Sequence, residues 1–216
     1  IKSSTTERGI NSIISESEGI KWYNERNKNK IIFKLEKKTN TYYKIKIDIN
    51  KGFYNINSNV SYINLKRYLD LTINHYIQTW QEFKNKSYAP FHGDLSLVGN
   101  VMFNDENEVL FVDWEQFDNS LKMPTGLDLM MTLIENFWYE TKRLDKIHKD
   151  VLQHLVYSVK KLNEAQLLSP LLKDKPAQSS IHYINSNIAI WNGQHQKLPA
   201  IKVPKRYIKL IDDAFF

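Results

Sequence analysis

The sequence predicts an α+β chain in which a small mixed lobe precedes a larger, mostly helical one. Three observations carry this. Residues 30–49 hold two runs, KIIFKLEKK and TYYKIKIDI, that alternate apolar and polar side chains, the period-2 pattern of paired strands. Between residues 60 and 83 the apolar positions are Tyr62, Leu65, Leu69, Ile73, Ile77, Trp80 and Phe83, the steps of three and four of a long amphipathic helix. Beyond residue 124 the apolar residues again group into helix-length segments.

Taken in order, Ile10, Ile13, Ile14, Ile20 and Tyr23 predict a helix over 10–25, with Gly19 as its weak point. The hairpin of residues 30–49 follows, with Thr-Asn between its strands. INKGFYNINSN (49–59) is turn-rich and reads as a linker. After the long helix comes FHGDLSLVGNVMFNDENEVLFVDWE (91–115), two apolar runs, VMF and VLFV, joined by NDENE. That is a second hairpin. Helices are expected over 124–144 and 147–168, then a break at 168–176. One more helical segment is expected after about 179, with Pro199 and Pro204 punctuating the end. The division expected is 1–50 as a small partial lobe, 51–59 as linker and 60–216 as the helical lobe carrying the loop 91–115.

The bulk numbers narrow the function classes. A chain of 216 residues makes one domain or two small lobes. Its hydrophobic share of 42%, with 12% aromatics, supplies a packed core rather than disorder. Cysteine is absent, which removes disulfide and thiolate chemistry. No run of apolar residues is long enough to span a membrane, and IKSSTTERGI lacks the apolar stretch of a signal peptide. A cytoplasmic location is expected. The chain opens on Ile-Lys without Met, so further residues are expected upstream. The net charge of +6 comes from scattered lysines with no dense basic block, and nucleic-acid binding is not expected.

The chemistry concentrates in residues 91–115. In an antiparallel hairpin Asn100, just before one strand, and Asp113, just after its partner, are neighbours. Asp94 lies on the loop leading in. Oxygen donors gathered this way suit Mg²⁺, which shares its octahedral shell with phosphates. A further carboxylate beside them can accept a hydroxyl proton. Together these make a minimal set for phosphoryl transfer, in which positioning and charge neutralisation do most of the catalysis.

HGDLSLVGN followed by VLFVDWE resembles the aminoglycoside phosphotransferase and choline kinase family, which has the protein-kinase-like fold. The resemblance is specific over 91–115 and loose over roughly 1–130. It implies a two-lobe architecture with a truncated N-lobe and a mostly helical C-lobe. It implies ATP and Mg²⁺ as cofactors and a small-molecule hydroxyl as acceptor. By resemblance Asp94 is the catalytic base, His92 supports its loop, and Asn100 and Asp113 hold metal. Glu115 completes DWE on the metal's outer side or the substrate side. Asp128, in MPTGLDLMM, braces the catalytic loop or simply opens a helix. Lys2 ends the strand that brings a lysine to the nucleotide phosphates, and Glu16, preferred to Glu18, is its ion-pair partner.

Two departures stand out. Five residues separate Asp94 from Asn100, where protein kinases have four; a bulge at Gly99 is expected to absorb the extra one. A Gly-rich G-x-G-x-x-G loop is absent from the sequence, as is the P-loop of Walker NTPases.

Other chemistries fit less well. None of the six histidines forms H-E-x-x-H, and His148 and His154 do not share a helix face, so zinc is not expected. No G-x-S-x-G of a serine hydrolase occurs. The five tryptophans read as core, with Trp191 a candidate for an acceptor pocket. The expectation is an ATP- and Mg²⁺-dependent phosphotransferase acting on a sugar, amino alcohol or aminoglycoside. The alternative is a kinase-like nucleotide-binding or regulatory protein without turnover.

Overall fold

The computed structural model describes residues 1–28, 30–39, 42–49, 52–56, 61–143, 149–194 and 203–214. His148, His195 and Pro199 fall outside them, and so does the side chain of Trp191. The architecture is mixed α/β, with six helices and three small antiparallel sheets among the described residues.

Strand β1 (Lys2–Ser4) leads into helix α1 (Glu7–Arg26). Thr6 caps that helix by accepting the Gly9 N–H at 3.2 Å. The predicted hairpin forms as β2 (Ile32–Thr39) and β3 (Tyr42–Asp48), in register from Ile32 opposite Asp48. β1 pairs with the other edge of β3, giving the order β1-β3-β2.

The stretch read as a linker does more than connect. Tyr54–Asn55 forms β4, which pairs with β6 (Val101–Phe103). Between them in sequence lie helix α2 (Tyr62–Thr79) and strand β5 (Tyr88–Phe91). β6 turns through Asn104 to β7 (Val109–Phe111), completing the sheet β4-β6-β7. In that turn the Asn104 side chain accepts the N–H groups of Glu106 and Glu108 at 3.1 and 2.9 Å. A two-stranded sheet absent from the sequence reading joins β5 to β8 (Asp118–Pro124).

The remaining elements are helices: α3 (Leu127–Arg143), α4 (Lys149–Glu164), α5 (Pro176–Gln194) and α6 (Lys205–Asp213). Asp212 of α6 satisfies the start of α5 by accepting the Ala177 and Gln178 N–H groups at 2.8 and 3.1 Å.

The core element nearest the candidate site is a wall of aromatic rings. Trp80 stands 4.9 Å from Trp22 and 6.3 Å from Trp114, centroid to centroid, and Tyr76 stacks on Trp80 at 4.2 Å. Trp22, Trp80 and Trp114 therefore pack as core, as expected. The wall ties α1 and α2 to the segment after β7, so the residues that α1 carries are set relative to that segment by packing.

Candidate functional site

The loop after β5 is fixed through its backbone. Phe91 is buried, and Trp80 Nε1 donates to the Pro90 carbonyl at 2.8 Å. The N–H groups of His92 and Gly93 then donate to the two carboxyl oxygens of Asp128, at 2.8 and 3.0 Å. Asp128 sits in the first turn of α3 and is 2% exposed, so it both opens that helix and holds the loop backbone. Burial pushes its pKa up to about 7 against those two donors, which favour the carboxylate. Gly93 has φ +92°, and a Cβ there would stand 2.5 Å from the Gln116 carbonyl oxygen. Only glycine fits.

His92 is buried beneath the loop against Trp114, with ring centroids 4.3 Å apart. Its Nδ1 faces the Asp94 N–H at 3.4 Å and its Nε2 faces the Val112 carbonyl at 3.0 Å. Those partners assign the proton to Nε2. Burial depresses the imidazole to about pKa 4, so it is neutral and supports the loop.

Asp94 follows at the open end. By area it is exposed, so the upward push of desolvation on its pKa is partial. Asp113 and Glu115 add to that push, and the Asn100 amide opposes it. Leu95 and Leu97 are buried beyond it, and Thr132 of α3 donates its hydroxyl to the Leu95 carbonyl.

The extra residue before Asn100 is absorbed differently from the expected bulge. The Asn100 N–H donates to the Ser96 carbonyl at 2.8 Å, closing one helical turn. Gly99 is absent from the left-handed positions, and a Cβ there would meet nothing nearer than 3.7 Å. A helical turn, not glycine's conformational freedom, takes up the residue. Asn100 ends the turn buried, its amide nitrogen donating to the Asp94 carbonyl. That leaves the amide oxygen as the acceptor available to a metal.

The hairpin register places Val101 opposite Phe111, and the Val112 N–H donates to the Asn100 carbonyl at 3.0 Å. Asn100 and the segment leading to Asp113 are thereby adjacent, as the two-strand geometry predicts. Asp113 has φ +63°, a left-handed conformation that aspartate tolerates better than most residues.

Four charged groups meet above it. The Lys2 ammonium lies 2.6 Å from Glu16, 2.7 Å from Asp113 and 2.5 Å from Glu115. Burial alone would pull the ammonium down. The three carboxylates outweigh it and hold Lys2 above its ordinary range, charged at any working pH. Glu16 is nearly sealed at 1% exposure, and burial raises its pKa against the pull of Lys2. The two shifts agree once the sharing is considered: one cation divided among three carboxylates cannot fully compensate the most buried one.

Glu16 falls in the buried stripe of α1 beside Ile13 and Ile20, whereas Glu18 points to solvent. A carboxylate inside an apolar stripe was the signal available for choosing between them. Gly19, the predicted weak point, lets α1 approach: a Cβ there would stand 2.6 Å from Trp114 Cβ. Glu115 belongs to the Lys2 cluster, a contact the sequence reading did not place.

The eight expected residues thus form two linked groups. Lys2, Glu16, Asp113 and Glu115 make one, and His92, Asp94, Asn100 and Asp128 make the other. Their link is the hairpin backbone and the His92–Val112 bond. Among the described residues, Glu16, Asp113 and Glu115 are the one trio of potential metal ligands within 4.8 Å of one another. No protein-family model matches this chain, and no curated protein matches it.

Proposed function

We propose that this chain is an ATP- and Mg²⁺-dependent phosphotransferase of protein-kinase-like two-lobe design. It would transfer the γ-phosphoryl group to a hydroxyl of a small molecule. The observation that carries this reading is the Lys2–Glu16–Asp113 contact set. Glu16 and Asp113, both named by resemblance, each lie within 2.7 Å of the Lys2 ammonium, the second across more than a hundred residues, beside a loop that presents Asp94 to solvent.

The donor set suits the proposed cofactors. The Asn100 amide oxygen and the Asp113 carboxylate flank one end of the hairpin, the hard oxygen pair that Mg²⁺ takes together with phosphate oxygens. Mg²⁺ bound with ATP supplies charge neutralisation on the transferring group. The chain's own residues do the rest. Asp128 and His92 fix the loop, so the Asp94 carboxylate stands where an incoming hydroxyl can be aimed and its proton accepted. Glu16 orients the Lys2 ammonium, which neutralises phosphate oxygens. Glu115 shares Lys2 with Asp113 and so limits how firmly Lys2 holds Asp113.

The test is ADP release from Mg·ATP across sugars, amino alcohols and aminoglycosides. The expected result is release stimulated by one acceptor class and reduced about 10²- to 10⁴-fold in Asp94→Ala. Tight Mg·ATP binding with no acceptor-stimulated release would instead favour nucleotide binding without turnover. Stimulated release that survives in Asp94→Ala would overturn the role given to Asp94.

A further inference from the structure

A cavity of about 570 Å³ opens between β1 and the first turns of α1, next to the Lys2 cluster. Lys2, Ser3, Ser4, Thr6, Arg8 and Ser12 line it, with Glu115 as the one acidic residue of the lining. Ser12 is only 4% exposed, yet its hydroxyl has no hydrogen-bond partner among the described residues. Other buried helical hydroxyls behave differently. Those of Ser17, Thr72, Thr79, Thr132, Ser158 and Ser180 each donate to a carbonyl one turn back in their own helix. A buried hydroxyl left unpaired is unfavourable. This one belongs to a cavity wall, so it points to a ligand received there.

We propose that the cavity binds the phosphate group of a small molecule, with the Ser12 hydroxyl as one of its donors. The lining decides the class. It is rich in donors: the hydroxyls of Ser3 and Ser12, the guanidinium of Arg8 and the ammonium of Lys2. Its carboxylate, Glu115, already holds Lys2 at 2.5 Å. A ligand against such a wall has to accept hydrogen bonds. The donors stand on a strand and a helix rather than in one plane, which suits the several oxygens of a tetrahedral oxyanion better than a flat carboxylate. The volume also leaves room for an organic remainder beside the phosphate.

Arg8 and Ser12 are four residues apart and share a face of α1 with Glu16. The carboxylates of Glu16, Asp113 and Glu115 repel an anion, so the phosphate belongs at the Arg8 end of the cavity, the end away from Glu16. There the N-terminus of the 20-residue α1 adds positive potential. Arg8 has a further partner, and a guanidinium carries enough N–H donors to serve two acceptors at once. Ser12 and Arg8 have no part in the phosphoryl transfer proposed above, so the site goes beyond that reading. The phosphate can come from the nucleotide or from a separate phosphorylated molecule, and the test separates the two.

The full chain is titrated with inorganic phosphate and with glycerol phosphate, read by phosphorus NMR line width and by thermal unfolding, with and without saturating Mg·ADP. One equivalent of glycerol phosphate should bind and raise the melting temperature. Ser12→Ala should weaken that binding by about 10-fold or more. Without ligand the same variant should be at least as stable as the wild type, because it removes a hydroxyl that nothing pairs. Ser17→Ala removes a hydroxyl already bonded to the Ile14 carbonyl and should leave phosphate binding unchanged. Binding that survives Mg·ADP assigns the phosphate to a separate molecule; competition assigns it to the nucleotide. Failure of the wild-type chain to bind either phosphate probe would overturn the site. So would binding that Ser12→Ala retains, and a Ser12→Ala chain destabilised without ligand would make the hydroxyl structural instead. None of these readouts depends on whether the chain transfers phosphate.

Discussion

The two halves of the candidate site are held by different forces. The loop half, His92 to Asn100, is fixed by backbone hydrogen bonds to the buried Asp128 and Thr132 of α3 and, within the loop, to the Ser96 carbonyl. The Lys2 half is held by ion pairs, one to the sealed Glu16 and two to more open carboxylates, with Asp113 43% and Lys2 36% exposed. Buried hydrogen bonds tolerate little displacement and leave expensive orphans when broken. Partly exposed ion pairs are individually weak and are screened by salt. One half is built to stay put, the other to exchange partners.

Several measurements can break or sharpen this contrast. The largest effect belongs to Asp128→Ala, which strands two backbone N–H groups. It should destabilise the protein by about 2–5 kcal/mol in urea unfolding; a loss under 1 kcal/mol would mean the loop is not held from below.

Acid response should expose the same brace. Folded His92, with its pKa near 4, refuses a proton that the unfolded chain takes up from about pH 6.5 downward. That contribution is complete above pH 6.5 and is lost toward pH 4, by about 3 kcal/mol. Asp128 acts oppositely, because its folded pKa near 7 lies above its unfolded value. Its contribution is present in acid and is lost as the pH rises through 7. The two partly cancel in the native chain. Asp128→Asn removes the opposing one, so stability should fall more steeply between pH 6.5 and 4 than in the wild type; parallel curves would contradict the sign.

Two glycines of the loop separate close approach from open space. Gly93→Ala meets the Gln116 carbonyl at positive φ and should cost about 1–3 kcal/mol. Gly99→Ala should change stability by no more than about 0.5 kcal/mol. Equal effects would return the fifth residue of the Asp94–Asn100 gap to a glycine bulge.

The smallest effect concerns salt. Raising ionic strength from about 0.1 to 1 M shortens the screening length from about 10 to 3 Å. Amide exchange along β1 should quicken while the His92 and Gly93 amides keep their protection. Equal acceleration in both places would erase the distinction between the halves.

Local pattern made most of the frame readable. Alternation marked β2 and β3, helical spacing marked α1 and α2, and the two apolar runs marked β6 and β7. The oxygens at one end of that hairpin followed from strand geometry alone. Other features depend on partners far away in sequence. DNSLKMP carries no strand pattern of its own, and β8 forms because it lies against β5. Glu115 reaches Lys2 across more than a hundred residues, which no local rule reports. Gly19 looked like a helix defect, because the Trp114 ring that needs its missing side chain comes from another part of the chain.

The wall of Trp22, Trp80 and Trp114 has an optical consequence. Indoles about 5–6 Å apart in a rigid, chiral arrangement couple their electronic transitions, so the native fold should carry an intense near-ultraviolet dichroism. Trp114 is bonded directly to both Asp113 and Glu115, so a ligand that draws those carboxylates away from Lys2 shifts the field on one chromophore of the set. The protein thus holds its own reporter, and ligand arrival can be followed without a dye or a label.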